Sequence, residues 1–87
     1  MLDYDALKWA HVVSQFQFVD MELDLAITFA ETAASSGSKE RTERNIENAM
    51  LAYRTATKFI QRDKFSPQMM AMLAEKVERL SLLVGLL

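Results

Sequence analysis

Only two interruptions break this chain: the cluster Ser35-Ser36-Gly37-Ser38, and Ser66-Pro67, which holds the sole proline of 87 residues. Everywhere else apolar residues recur three and four positions apart, with no strand-like alternation, so the chain can form little but long helices. Ser66 is suited to cap a helix that opens on Pro67, where a missing N–H costs nothing. Ser38 is suited to the same role one helix earlier. The pattern predicts helices over about 3–34, 39–62 and 67–84.

Each predicted helix carries an apolar stripe. Val19, Leu23, Ala26, Ile27 and Ala30 lie on the first, together with Phe18, Leu25 and Phe29. Ile46, Ala49, Met50, Ala52, Tyr53, Ala56 and Ile60 lie on the second, and Met69, Leu73, Val77, Leu80, Val84 and Leu87 on the third. Stripes of this width face a core. Short connections between them imply an all-α, antiparallel three-helix bundle forming one domain over residues 1–87.

Lengths do not match, and this bears on function. The first helix would run about 32 residues, roughly 48 Å, against about 24 and 18 for the others. Residues 16–34 suffice to face both partners, which leaves 1–15 as an apolar N-terminal extension that either folds back as a separate segment or meets a partner chain. At the other end, Leu82, Leu83, Val84, Leu86 and Leu87 point in more directions than one core face can absorb. A chain this small buries only roughly 60–65% of its unfolded surface, and surplus apolar surface on such a chain marks an interface. The expected interface residues are Leu2, Leu7, Trp9 and Val12 with Leu82, Leu83, Leu86 and Leu87, and the expected partner is a second copy of the chain.

Composition narrows the classes. Without cysteine there are no disulfides and no thiolate metal sites. The acidic start MLDYDALKW lacks the positive charge of a secretory leader, and no apolar run reaches the ~20 residues of a membrane span, so a cytoplasmic protein with no membrane partner is expected. Residues 1–34 carry six acidic side chains against Lys8 alone, while residues 35–64 carry seven basic against four acidic. That asymmetry favours an acidic first helix meeting a basic second one, within a copy or between copies.

Ala49-x3-Tyr53-x2-Ala56 resembles the second helix of a tetratricopeptide repeat, and Leu25-Ala26-x2-Phe29 resembles its first helix. Small residues there let two backbones approach while aromatics fill the wedge beside them. The resemblance covers residues 22–61 and is shared with the helical hairpin of microtubule-interacting and trafficking domains. It implies a hairpin of protein-binding type, with Leu25, Ala26, Phe29, Ala49, Tyr53 and Ala56 at its closure. Glu22 stands where the repeat has Trp, Gln61 where it has Pro, and no second copy of the motif follows. The concave groove of a repeat array is therefore not implied.

Three constellations bear on chemistry. His11, Gln15 and Glu22 fall within the apolar arc of the first helix, and with Asn45 and Asn48 they compose an expected buried polar cluster. Its simplest reading is a set of satisfied hydrogen bonds; the alternative is a small-molecule or metal pocket centred on Glu22, completed at a dimer axis by two Glu22 and two His11. Asp20, Asp24 and Glu31 form a carboxylate stripe on the polar side, where solvation leaves them without catalytic roles. Arg54, Lys58 and Arg62 form a basic row with phosphate-following spacing, the basis of a nucleic-acid alternative. Glu47 on the same face, the net acidity and the lack of interleaved aromatics weigh against it. No phosphate loop, nucleophile elbow or cofactor motif occurs. The expected function is non-catalytic protein–protein interaction or assembly, as a homodimer, with no cofactor.

Overall fold

The computed structural model describes residues 3–85. It contains three α-helices: α1 (Tyr4–Ser35), α2 (Lys39–Arg62) and α3 (Pro67–Gly85). Every expected terminus is matched to within one residue, because side chains at the interruptions cap the helices. Asp3 Oδ1 accepts the Asp5 N–H at 3.0 Å, Ser38 Oγ that of Arg41 at 3.4 Å, and Ser66 Oγ that of Met69 at 3.1 Å. Each satisfies one of the N–H groups that a helix start leaves without an intrahelical partner. Thr42 Oγ1 reaches across the first turn to the Ala33 carbonyl at 3.4 Å, which ties α2 to the end of α1.

Two apolar clusters hold the helices together. Nearer the α1–α2 turn, Ala26, Ile27 and Ala30 meet Ala49 and Ala52 of α2 and Leu80 of α3. Nearer the α2–α3 turn, Val19 and Leu23 meet Ala56 and Leu73. The order of these pairings makes α2 antiparallel to α1, and α3 parallel to it. Every buried residue of α2 is alanine. That choice lets the α2 backbone lie close on α1, and it leaves the larger α2 side chains to work at the edges of the contact. Consequently α1 packs along both other helices, while α2 and α3 touch each other far less.

Aromatic side chains close the far end. Phe18 meets Phe59 edge to face with centroids 4.9 Å apart, and Phe16 meets Phe65 of the α2–α3 turn at 6.2 Å. Beyond this point α1 continues without cover: every residue from Asp3 to His11 is exposed. The extension therefore prolongs α1 rather than folding back, and the molecule measures 57 × 20 × 17 Å.

The charge pattern resolves differently from the expected acid–base match of helices one and two. The acidic stripe of α1 meets α3: Lys76 Nζ lies 2.7 Å from Asp20 and 2.8 Å from Asp24, and Arg79 lies 3.2 Å from Glu31. Basic residues of α2 pair locally, Arg44 with Glu40 at 3.3 Å and Arg62 with Asp63 at 3.2 Å. The reason is angular. The basic row points away from α1, while Lys76 and Arg79, one turn apart, project back over it.

Candidate interaction site

Three surfaces compete as the functional site. The first is the projecting start of α1. Tyr4, Leu7 and Trp9 are 76%, 51% and 56% exposed, and Trp9 and Val12 border a shallow hollow with Asp5, Lys8 and Lys64. The second is the end of α3, where Leu82 is 66% exposed while Leu83 is half-buried against the core. Leu2, Leu86 and Leu87 lie outside the described residues. Because α3 runs parallel to α1, and Leu80 packs beside Ala30, these two surfaces stand at opposite ends of the molecule. Leu7 and Leu82 are separated by about 23 positions of α1, roughly 35 Å. They do not form one patch on one copy.

The third surface was not anticipated in the sequence reading. Since α2 and α3 barely touch, an open groove runs along their seam. One stretch, of about 330 Å³, is lined by Met50, Tyr53, Leu80, Ser81 and Val84. The next, of about 400 Å³, shares Tyr53 and continues past Thr57, Gln61, Met70, Ala74 and Val77 to Glu78. Its walls are mainly apolar. The signal for it was a second heptad-spaced series on α3, Met70, Ala74, Val77, Ser81 and Val84, running beside the core series Leu73 and Leu80.

The expected buried polar cluster does not form. No polar or charged side chain is buried among the described residues. His11 is exposed, and its Nε2 lies 3.5 Å from Gln15 Nε2, at the outer limit of hydrogen bonding. Asn45 donates to the Arg41 carbonyl of its own helix at 2.9 Å. Glu22 and Asn48 do come together, half-buried on the walls of a shallow α1–α2 groove beside Leu25 and Leu51. The cause is the breadth of the α1 apolar arc: α2 and α3 cover only part of it, so residues on its flank remain wet. Among the described residues no three His, Asp or Glu side chains converge on a metal-sized point.

Hairpin closure is similarly divided. Ala26, Ala49 and Ala56 are buried, and Phe29 and Tyr53 pack half-buried against them. Leu25 does not join them; it is 44% exposed, on the open wall of the shallow α1–α2 groove beside Leu51. In the basic row, Arg54 Nε donates to the Met50 carbonyl at 3.4 Å, and the Arg62 guanidinium lies over the Phe59 ring at 4.5 Å. Lys58 is exposed.

Lys76 sits between two carboxylates of α1. Burial, the largest single influence, would lower its pKa, but hydrogen bonds and charge attraction from Asp20 and Asp24 together outweigh it and hold the ammonium above 10.5. This is the arrangement of a structural clamp between α1 and α3, since both carboxylates are occupied by a cation that stays protonated. No helix among the described residues is long and apolar enough to cross a membrane. Compared with known proteins, the chain matches no family model, no curated protein and no solved structure.

Proposed function

We propose that this chain is a non-catalytic protein–protein interaction or assembly module that acts as a homodimer. The observation that carries the reading is apolar exposure on a chain with a small core: Leu7, Trp9 and Leu82 are each more than half exposed. Leaving that much apolar surface in water forgoes burial that a small domain needs, at about 25 cal/mol per Å². The tetratricopeptide-like character of the central hairpin belongs to the same proposal. It is supported by buried alanines flanked by Phe29 and Tyr53, and Leu25 departs from it.

The test is the mass of the chain in solution by light scattering, from low to tens of micromolar. A dimer mass, or a mass rising toward it with concentration, is expected. A monomer throughout that range refutes the homodimer.

A further inference from the structure

We infer that the α2–α3 groove is where a second copy docks, the two copies related by a two-fold axis parallel to the helices so that α2 of each lies against α3 of the other. This rests on the homodimer reading and places the contact on a surface other than the exposed Leu7, Trp9 and Leu82, none of which lines the groove.

The groove is an unfilled helix position with complementary edges. Along α2 its outer wall is Met50, Thr57 and Gln61, with Arg54 four residues after the first and three before the second. Along α3 the outer wall is Met70, Ala74, Ser81 and Gly85, with Glu78 four residues after Ala74 and three before Ser81. Residues at those offsets share a helix face, so Arg54 and Glu78 each sit on the rim of their own wall. They also lie at one height. Tyr53 borders the groove together with Glu78, and Arg54 follows Tyr53 by about 1.5 Å of helix rise.

A two-fold axis along the bundle preserves height and exchanges the walls. It therefore sets Arg54 of each copy against the partner's Glu78, giving two opposite-charge pairs by symmetry. Among the described residues neither side chain has an ion-pair partner within its own copy. Sizes match as well as charges. At equal height Met50 comes opposite Ser81, and Thr57 opposite Ala74, so at these two levels a larger side chain of one wall meets a small one of the other, while Gln61 and Met70 meet at the next. Because α2 is antiparallel to α3 within a copy, each new contact between copies is antiparallel too, the arrangement of a four-helix bundle with short connections.

The projecting start of α1 is a poorer candidate for this occupant. Its flank carries Asp3, Asp5 and Lys8 within one turn and a half, and its apolar side chains Tyr4, Leu7 and Trp9 do not share one face.

The experiment measures dimer dissociation of the full chain by sedimentation, for the wild type, Arg54→Glu, Glu78→Arg, the double exchange, and Ser81→Arg. All three positions are exposed, so folding is checked by unchanged helical circular dichroism. Each single reversal sets like charges together twice and is expected to weaken the dimer about tenfold or more. The double exchange restores opposite pairs and is expected to recover most of that loss; Ser81→Arg is expected to abolish the dimer. A wild-type dimer indifferent to Ser81→Arg overturns the groove while leaving the homodimer intact. Loss of the dimer in Trp9→Glu with full retention in Ser81→Arg also overturns it, and assigns the contact to the α1 extension. Singles that weaken the dimer without recovery in the double exchange refute the two-fold pairing. A wild-type monomer at all concentrations overturns both this inference and the reading beneath it.

Discussion

Leu23 and Leu25 stand two residues apart on α1, and the same truncation at each is expected to give very different losses. Leu23 is 0% exposed and packs with Val19, Ala56 and Leu73. Cutting it to alanine removes three carbon atoms from contact with three elements and leaves a void that the surrounding backbone cannot fill, a cost of about 3–5 kcal/mol. Leu25 is 44% exposed. Only the covered half of its side chain has burial to lose, and the groove it borders opens to water, so its truncation costs about 1 kcal/mol. A domain of this length has a total stability of roughly 4–13 kcal/mol, so Leu23→Ala removes about a quarter of it or more and Leu25→Ala a smaller fraction.

Thermal and urea unfolding followed by helical circular dichroism measure both, at one fixed chain concentration because self-association shifts the midpoint. At about 4–8 °C per kcal/mol for a domain of this size, Leu23→Ala should melt roughly 15–30 °C below the wild type. Leu25→Ala should melt about 5 °C below. Equal losses, or a larger one at Leu25, would mean that α1 presents a different face to α2 and α3, and the packing argued above would be wrong.

Three further outcomes follow from named contacts. Ala49→Leu inserts bulk where α2 lies closest on α1 and should cost about 1–3 kcal/mol, whereas Ala34→Leu, on the exposed side of α1, should be nearly neutral in the same assay. Lys76→Met should lower the urea midpoint at neutral pH by about 1 kcal/mol in stability. The folded-state pKa of Lys76 is raised, so its contribution is fully present below 10.5 and lost as pH rises through the higher folded value; the deficit of the variant should shrink there, and a deficit that grows above pH 10.5 would contradict the clamp. Ser38→Ala removes the Arg41 N–H acceptor and should destabilise by about 1 kcal/mol, measured by urea unfolding.

The helices were legible because their termini are written locally. Asp3, Ser38 and Ser66 act on N–H groups two or three residues away, and no distant contact is needed to read them. The alanines of α2 were legible for a related reason: three small residues at helical spacing admit few uses other than close approach. The face of α1 was not. Its apolar residues spread so widely that the helix has almost no preferred side when taken whole, and which of Leu23 and Leu25 is covered depends on where α2 runs. Glu22 and His11 were placed inside by the same breadth. The ion pairs escaped notice because α3 is neutral as a segment, yet two of its four charges, Lys76 and Arg79, face the acidic stripe.

The alanines and the open groove have one physical cause. A helix that buries mainly methyl groups against its neighbour comes close to it, so α2 sits close on α1, with its alanines at the centre of the contact and Phe59 at its end. Its larger residues, Met50, Tyr53 and Ile60, are then left at the margin, where they line the seam with α3. A bundle with one seam drawn tight and another held open has space beside the open seam for further helices. On that side α3 presents Ala74, Ser81 and Gly85 alongside Met70 and Val84, so the seam stays open within one copy. Tight closure of the hairpin and the opening of the α2–α3 seam are therefore linked, and the proposed partner would occupy the space that results. Enlarging the alanines of α2 should disturb association as well as stability, even though none of them lies on the proposed interface.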